Sequence, residues 1–207
     1  MGLLKKYFNN TRKPEGWLGK LMVNGMNGGH AALSDWGMSF LKVSQHVKIA
    51  DLGCGGGRNA ASLLKHYPHA SLTALDYSDV SVEKTRQVNQ AAIAAGRCIV
   101  LQGNVAALPF DAEEFDLITA FETVYFWPDG SFNEVFRTLK PGGTFLIVNE
   151  ADGENAADEK WVAMIDGMTI YNADQLTDML TNAGFAKVTV HRNEKKHWLC
   201  LTAIKEA

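Results

Sequence analysis

The stretch VKIADLGCGGGRN (residues 47–59) decides the fold of this chain. Its first half, VKIADL, has the apolar run of a buried strand, and its second half holds four glycines in front of a helical pattern. Glycine permits positive φ angles and lets backbone N–H groups approach a ligand closely. A buried strand, a glycine turn and a helix in this order predict the first βα unit of an α/β domain.

The same alternation continues along the chain. Further strands are predicted at 71–76, 98–103, 115–121 and 144–150, with helices at 59–67, 78–95 and 131–139. A later helix should begin with the capping-box spacing of Asn172 and Gln175 and end at Gly184. Residues 185–193 and 196–204 predict a C-terminal antiparallel hairpin. We therefore expect an α/β fold with a doubly wound, mostly parallel seven-stranded sheet.

The N-terminal 45 residues differ from the rest in composition. They are rich in Gly, Asn, Met and Trp, and apolar residues at helical spacing predict short helices within 33–43. Their basic start is interpreted as a solvated helical face. We expect residues 1–45 to form a helical cover and residues 46–207 to form the α/β domain.

Composition limits the classes of function. The 207 residues are 46% apolar and 21% charged, as in ordinary globular proteins, and the net charge of −3 disfavours a nucleic-acid partner. Three cysteines, Cys54, Cys98 and Cys200, show no C-x-x-C spacing, which disfavours disulfides and thiolate zinc sites. No His, Asp or Glu cluster has metal-ligand spacing, so no metal site is predicted. Neither a membrane span nor a signal peptide is recognisable, and we expect a cytoplasmic protein.

Several motifs follow the strands. Asp76 ends the second strand, where a carboxylate can accept hydrogen bonds from both hydroxyls of a ribose. The sequence GNVAALPF (103–110) follows the third strand, FDLI (115–118) opens the fourth, and LKPGGT (139–144) precedes the fifth. With the glycine turn, these five motifs resemble class I S-adenosylmethionine-dependent methyltransferases of the small-molecule type, which have a Rossmann-like sheet. Residues 14–37 are also similar to bacterial members with a Met-Asn-x-Gly-His segment and no assigned substrate.

The resemblance implies that S-adenosylmethionine is the cofactor. In the family the glycine turn passes beside the amino-acid part, the acid matching Asp76 binds the ribose, and the residue matching Asn104 accepts from the adenine amino group. That residue is commonly Asp, and the carbonyl oxygen of Asn104 can accept the same bond. The cofactor-binding residues expected are Asp51, Gly53, Cys54, Gly55, Asp76, Tyr77, Asn104, Val105, Phe121, Asn27 and His30.

The implied reaction is in-line transfer of the methyl group to a small molecule, with S-adenosylhomocysteine as product. Candidate catalytic residues are Glu122, Tyr125 and His30, with Trp127 as an apolar wall. The alternative roles are structural: Glu122 could cap a turn or contact the cofactor, and His30 could be a structural hydrogen-bonding residue. We expect residues 14–37 to cover the cofactor as a lid against water.

Other functions remain open from the sequence. A nicotinamide-dependent oxidoreductase is disfavoured because Arg58 stands where its third glycine belongs. A tRNA or rRNA methyltransferase is disfavoured by the acidic charge, and FETV (121–124) stands where many enzymes that methylate base amino groups have Asn/Asp-Pro-Pro-Tyr. A protein that binds the cofactor without catalysis is the fourth possibility. The expected partner is a small-molecule substrate, with no membrane partner, and the chain is expected to be a monomer or homodimer.

Overall fold

The computed structural model describes residues 11–16, 19 and 30–206. The expectations for Asn27 and for most of the glycine-rich part of the N-terminal segment lie outside these residues. Within them, no helix is both long enough and apolar enough to cross a lipid bilayer.

The centre of the fold is a seven-stranded sheet with the order β3-β2-β1-β4-β5-β7-β6. The strands are β1 (Lys48–Leu52), β2 (Ser71–Asp76), β3 (Cys98–Gln102), β4 (Phe115–Phe121), β5 (Leu139–Asn149), β6 (Lys187–Asn193) and β7 (Trp198–Ile204). Strands β1 to β5 run parallel, and β7 lies antiparallel between β5 and β6. The predicted sheet and C-terminal hairpin are confirmed.

Helices cover both faces of this sheet. The described helices are α1 (Ala31–Met38), α2 (Arg58–His66), α3 (Asp79–Val88), α4 (Gln90–Ala94), α5 (Ser131–Thr138), α6 (Glu159–Met164) and α7 (Ala173–Asn182), with 3₁₀ turns at Val124–Phe126 and Ala156–Asp158. One apolar cluster joins the sheet to α1, α2 and α3, and a second joins it to α5 and α7. Successive side chains of each buried parallel strand point to opposite faces of the sheet and so belong alternately to the two clusters. Both faces are therefore covered by helices, as in a doubly wound fold.

The glycine turn fixes the path of the chain between β1 and α2. Gly57 is the N-cap of α2 with φ of 77°, and a Cβ atom there would come within 2.7 Å of the Cα atom of Thr85. Gly53 has φ of 76°, and a Cβ atom there would clash with the side chain of Thr123. Both the backbone conformation and the available space therefore require glycine at these positions.

The helix predicted at 78–95 is wrong in one respect, because the structure has two helices there. Ser78 caps α3 as expected, its hydroxyl accepting from the Ser81 N–H group at 3.3 Å. The chain then leaves the helical path at the buried Asn89, whose amide donates to the carbonyls of Gly57 at 2.9 Å and Thr85 at 3.0 Å. This amide ties the end of α3 to the glycine turn.

The start of β5 also differs from the prediction. The sequence Pro141-Gly142-Gly143 indicates a break before the strand, yet β5 begins at Leu139 and contains all three residues. Gly142 donates its N–H to the Lys205 carbonyl at 2.7 Å, and the Lys205 N–H donates to Gly143 at 3.1 Å. Pairing with the chain segment that follows β7 therefore extends the strand through residues that disfavour one locally.

Candidate functional site

The candidate site lies at the carboxyl ends of the strands, where β1 stands between β2 and β4. In open α/β sheets this topological switch point is the usual place for a ligand. A cavity of about 350 Å³ is found there. Its walls include Gly53, Gly55, Asp76, Tyr77, Asn104, Val105, Phe121, Glu122, Thr123 and Trp127, and residues Thr11, Arg12 and Pro14 of the N-terminal segment.

Asp76 is held in place by the backbone around it. One carboxylate oxygen accepts from the Gly55 N–H group at 2.9 Å, and the other accepts from the Ser78 N–H group at 2.9 Å. Burial raises the pKa of this carboxyl above its usual value, and these N–H groups partly oppose the rise. Asp76 therefore links the glycine turn to the end of β2 and presents an acid at the cavity wall.

Three predicted residues form another part of the same wall. Tyr77 is 39% exposed, and its hydroxyl donates to the Arg12 carbonyl. The side-chain oxygen of Asn104 accepts from the Ala106 N–H group at 3.0 Å, which fixes the orientation of its amide. Val105 lies next to it on the wall. The second lone pair of the Asn104 oxygen remains available to a ligand.

Residues 11–16, which we name the strap, cross the rim of the cavity. The Ser78 hydroxyl donates to the Pro14 carbonyl at 2.7 Å, and Tyr77 holds Arg12 as described. Both anchors follow directly after Asp76 in the chain. The strap is therefore fastened to the loop after β2, on the cavity wall that includes Asp76.

Asp51 lies in the core and outside the lining of this cavity. It is 1% exposed, and one oxygen accepts from the Thr119 hydroxyl at 2.8 Å. The other oxygen has no hydrogen-bond partner among the described residues. Burial, with a smaller contribution from the charge of Asp76, raises the pKa of Asp51 to about 7, against the lowering effect of the Thr119 hydrogen bond. A direct role of Asp51 in cofactor binding stays a prediction.

A smaller cavity of about 50 Å³ adjoins the first on the other side of the glycine turn. His30, Cys54 and Glu122 are among its lining residues, and it shares Gly53, Gly55, Phe121 and Glu122 with the larger cavity. The Cys54 sulfur lies 3.4 Å from the Thr85 hydroxyl, and burial raises the pKa of its thiol well above the usual value. Cys54 is therefore a protonated wall residue.

Glu122 stands where the two cavities meet. Its backbone has a positive φ of 59°, with its N–H group donating to the Val148 carbonyl at 2.9 Å. Its Oε1 atom accepts from the Tyr125 hydroxyl at 3.3 Å and from the Glu150 N–H group. Burial of the carboxyl group, and secondly the charge of Glu150, raise its pKa well above the usual value. Tyr125, a candidate catalytic residue, is 3% exposed and outside both linings, and among the described residues it reaches the site only by its hydrogen bond to Glu122.

Glu150 is a site residue that the sequence reasoning missed. Its side chain lies 3.5 Å from the His30 imidazole, measured from Oε2 to Nε2. It follows β5 directly, and the rule that ligands bind beyond the carboxyl ends of parallel strands could have identified it. Thr123 is a second omission: its hydroxyl accepts from the Trp127 indole at 3.2 Å, which places this predicted aromatic wall.

Comparisons with known proteins give a family match for the central part of the chain. Residues 49–143 match a family described as a methyltransferase domain. This stretch is therefore similar in sequence to methyltransferase domains. Within it lie the glycine turn, Asp76, Asn104 and Glu122, while His30 and Glu150 lie outside it.

Relatives and solved structures extend the likeness. Cycloartenol-C-24-methyltransferase 1 of Oryza sativa subsp. japonica is 30% identical over 109 residues, which are 52% of this chain and 31% of that protein. The chain thus spans about a third of this relative. A structure of a complex between the Haloferax volcanii Trm112 methyltransferase activator and a methyltransferase matches with a TM-score of 0.81 at 19% identity, covering 100% of this chain and 99% of that one.

A third neighbour is a complex with a ligand. Human N-acetylserotonin methyltransferase in complex with SAM matches with a TM-score of 0.76 at 17% identity, covering 92% of this chain and 56% of that chain. At these identities the solved structures establish the fold.

Proposed function

We propose that this chain is an S-adenosylmethionine-dependent methyltransferase that acts on a small-molecule acceptor. The observation that carries the proposal is the meeting of Gly53, Gly55, Asp76 and Asn104 on the walls of one cavity at the switch point of the sheet. These residues stand in the matched methyltransferase domain, in the order and on the strand ends that the family resemblance requires.

The residues present fit this cofactor. A cavity of about 350 Å³ lies within the range of small-molecule sites. Glycine is required at position 53 by the adjacent Thr123 side chain, so the turn offers backbone groups to the ligand without side-chain bulk. Asp76 supplies a carboxylate for the ribose hydroxyls, and the oriented Asn104 oxygen supplies an acceptor for the adenine amino group.

The bound cofactor would supply a methyl group already activated by the sulfonium charge. The protein then has to bind the cofactor and the acceptor, orient them for the transfer, and exclude water. Glu122, fixed by Tyr125 and by the Glu150 N–H group, lies between the two cavities and can orient an acceptor or hold its proton. The Trp127 ring, placed by Thr123, provides an apolar wall for that acceptor.

The strap and His30 support the proposal that the N-terminal segment covers the cofactor. Thr11, Arg12 and Pro14 line the larger cavity and His30 lines the smaller one. The proposal therefore includes a cover formed by residues 1–45 and a methyltransferase domain formed by residues 46–207. We also propose that the chain is a monomer or a homodimer, which light scattering can measure.

Isothermal titration calorimetry with S-adenosylhomocysteine tests the proposal. We expect one site per chain for this ligand and no binding of NAD or NADP. Replacing Asp76 with Ala should weaken the affinity by about 1.5–3 kcal/mol, because the ribose hydroxyls lose a charged acceptor. Asp174→Ala, on the exposed start of α7, is the matched control and should bind normally.

Two outcomes would contradict the proposal. Preferential binding of NAD would indicate an oxidoreductase, and equal affinity of the Asp76→Ala variant would show that this acid does not hold the ribose. Incubation with radiolabelled S-adenosylmethionine and candidate small molecules or RNA then distinguishes the acceptor class, and labelling of RNA alone would overturn the small-molecule part.

A further inference from the structure

A histidine and two glutamates from distant parts of the chain meet at the rim of the smaller cavity. His30 directly precedes α1, Glu122 directly follows β4 and Glu150 directly follows β5. One ligand atom from each of the three lies within 4.8 Å of the others. We propose that His30, Glu122 and Glu150 bind a divalent transition-metal cation of the zinc or manganese type.

The spacing of the three side chains suits such an ion. Ligand atoms about 2.1 Å from a tetrahedral metal lie roughly 3.4 Å from one another. The distance of 3.5 Å between His30 Nε2 and Glu150 Oε2 already matches this value. Both hydrogen bonds that Glu122 accepts go to its Oε1 atom, so Oε2 has no donor among the described residues and is the available ligand.

The charges at this place favour a cation. Glu122 and Glu150 place two carboxylates side by side, with a ligand atom of each within 4.8 Å of the other. Two carboxylates brought together without a cation repel each other, and a divalent ion removes that repulsion. One imidazole with two carboxylates suits zinc and manganese better than magnesium or calcium, which prefer oxygen ligands alone.

Three protein ligands would leave coordination positions open. Glu122 borders both cavities, so these open positions adjoin the proposed cofactor site. In metal sites of enzymes an open position takes water or a substrate oxygen, whereas structural zinc sites are closed by four protein ligands. Spacing along the sequence gave no sign of the site, because the three residues are brought together by the pairing of β4 with β5 and by the packing of α1 against β5.

Calorimetric titration of the full-length chain tests the site without any nucleoside present. After treatment with EDTA and its removal, we expect one Zn²⁺ or one Mn²⁺ to bind per chain. Glu150→Gln and His30→Asn should each weaken binding at least tenfold, because each removes one of three ligands. Circular dichroism and thermal unfolding of each variant establish that it is folded.

Two matched controls separate this site from adventitious binding. Glu154→Gln removes a carboxylate four residues further on that pairs with Arg192 at 2.6 Å. His69→Asn breaks the stacked pair that His69 forms with His46, with ring centroids 4.8 Å apart. Both controls should retain the wild-type affinity. Loss of binding in His69→Asn with retention in His30→Asn would overturn the proposal.

Absence of binding would also overturn it. The cation proposal goes beyond the proposed function, and its test needs no nucleoside. Titration of S-adenosylhomocysteine in the presence of EDTA is therefore run as a separate measurement. Cation binding without nucleoside binding would contradict only the methyltransferase proposal, and the reverse result would contradict only the cation site.

Discussion

At the scale of single residues, Asp51 combines deep burial with an incomplete set of hydrogen bonds. Its second oxygen has no partner among the described residues, and Asp76 adds a like charge nearby. The pKa rises from 3.8 to about 7 in the folded protein, so the folded state binds the proton more tightly than the unfolded state. Below pH 3.8 this group costs no stability, and the cost grows as the pH rises towards 7.

We predict that Asp51→Asn removes this dependence. Each pH unit between the two pKa values corresponds to about 1.4 kcal/mol. The unfolding free energy of the variant minus that of the wild type should therefore increase by up to about 4 kcal/mol between pH 4 and pH 8. Urea unfolding at several pH values measures the difference. Asp174→Asn should show no such trend, and parallel curves for Asp51→Asn and wild type would contradict the raised pKa.

Asn104 provides a second prediction at this scale. Its oxygen is oriented by the Ala106 N–H group, and a carboxylate could keep that bond and still accept from an adenine amino group. Asn104→Asp should therefore bind S-adenosylhomocysteine as well as wild type or better, whereas Asn104→Leu should bind roughly tenfold more weakly. Calorimetry measures the three affinities, with Asn133→Leu on α5 as the control. Equal affinities would mean that packing alone holds the adenine.

The candidate residues that sequence could predict are those at strand ends within the motifs. Asp76 is the last residue of β2 and Asn104 follows β3 after one glycine, and local sequence identifies both. Glu150 also follows a strand but lies in no motif, and His30 comes close to it only because α1 packs against β5. Their meeting depends on tertiary contacts between residues 120 positions apart in sequence, which no local pattern encodes.

At the scale of elements, the packing of α1 on β5 depends on Gly37. A Cβ atom on Gly37 would clash with both methyl groups of Val148 in β5. Alanine favours helices over glycine by about 1 kcal/mol, but overpacking costs about 1–3 kcal/mol. We predict that Gly37→Ala lowers stability and moves α1, and with it His30, away from Glu150.

A double-mutant cycle tests the role of this glycine. Val148→Ala alone removes buried methyl groups and should cost stability, but in the Gly37→Ala background it also makes room for the new methyl group. The double variant should therefore be more stable than the sum of the two single effects by at least about 1 kcal/mol, as measured by urea unfolding. Additive effects would show that α1 does not contact β5 through Gly37.

Element boundaries were predictable where local signals agree with tertiary contacts. The capping box of Asn172 and Gln175 was predicted and is present, with both bonds at 2.9 Å. The division of the helix at Asn89 was not predicted, because it depends on a bond to Gly57, 32 residues earlier. The early start of β5 likewise depends on Lys205, from the other end of the domain.

At the scale of the whole molecule, the sheet follows from alternation of strands and helices. Five parallel strands and a terminal antiparallel pair were predicted from hydrophobic runs and turn residues, because each strand is local and its crossover is right-handed. The short hairpin turn places β7 beside β6, whereas the position of β7 next to β5 depends on long-range pairing of those two strands. No such local signal shows how the N-terminal segment packs on this sheet. Among the described residues, the strap and α1 show where parts of this segment lie.

The strap and α1 give the last prediction, which concerns the cover as a whole. The strap is tied to the loop after Asp76 by Ser78 and Tyr77, and His30 borders the glycine turn. A ligand that fills both cavities should therefore hold the two segments to the sheet and suppress local opening. We predict that adding S-adenosylhomocysteine slows amide hydrogen exchange in residues 11–16 and 30–36, measured by mass spectrometry on the full chain. The α7 helix, remote from the cavities, should exchange at the same rate with and without the ligand, and NAD should change neither segment. Slower exchange confined to 53–57 and 76–81 would show that the ligand binds without engaging the N-terminal segment, and would reject its assignment as a lid.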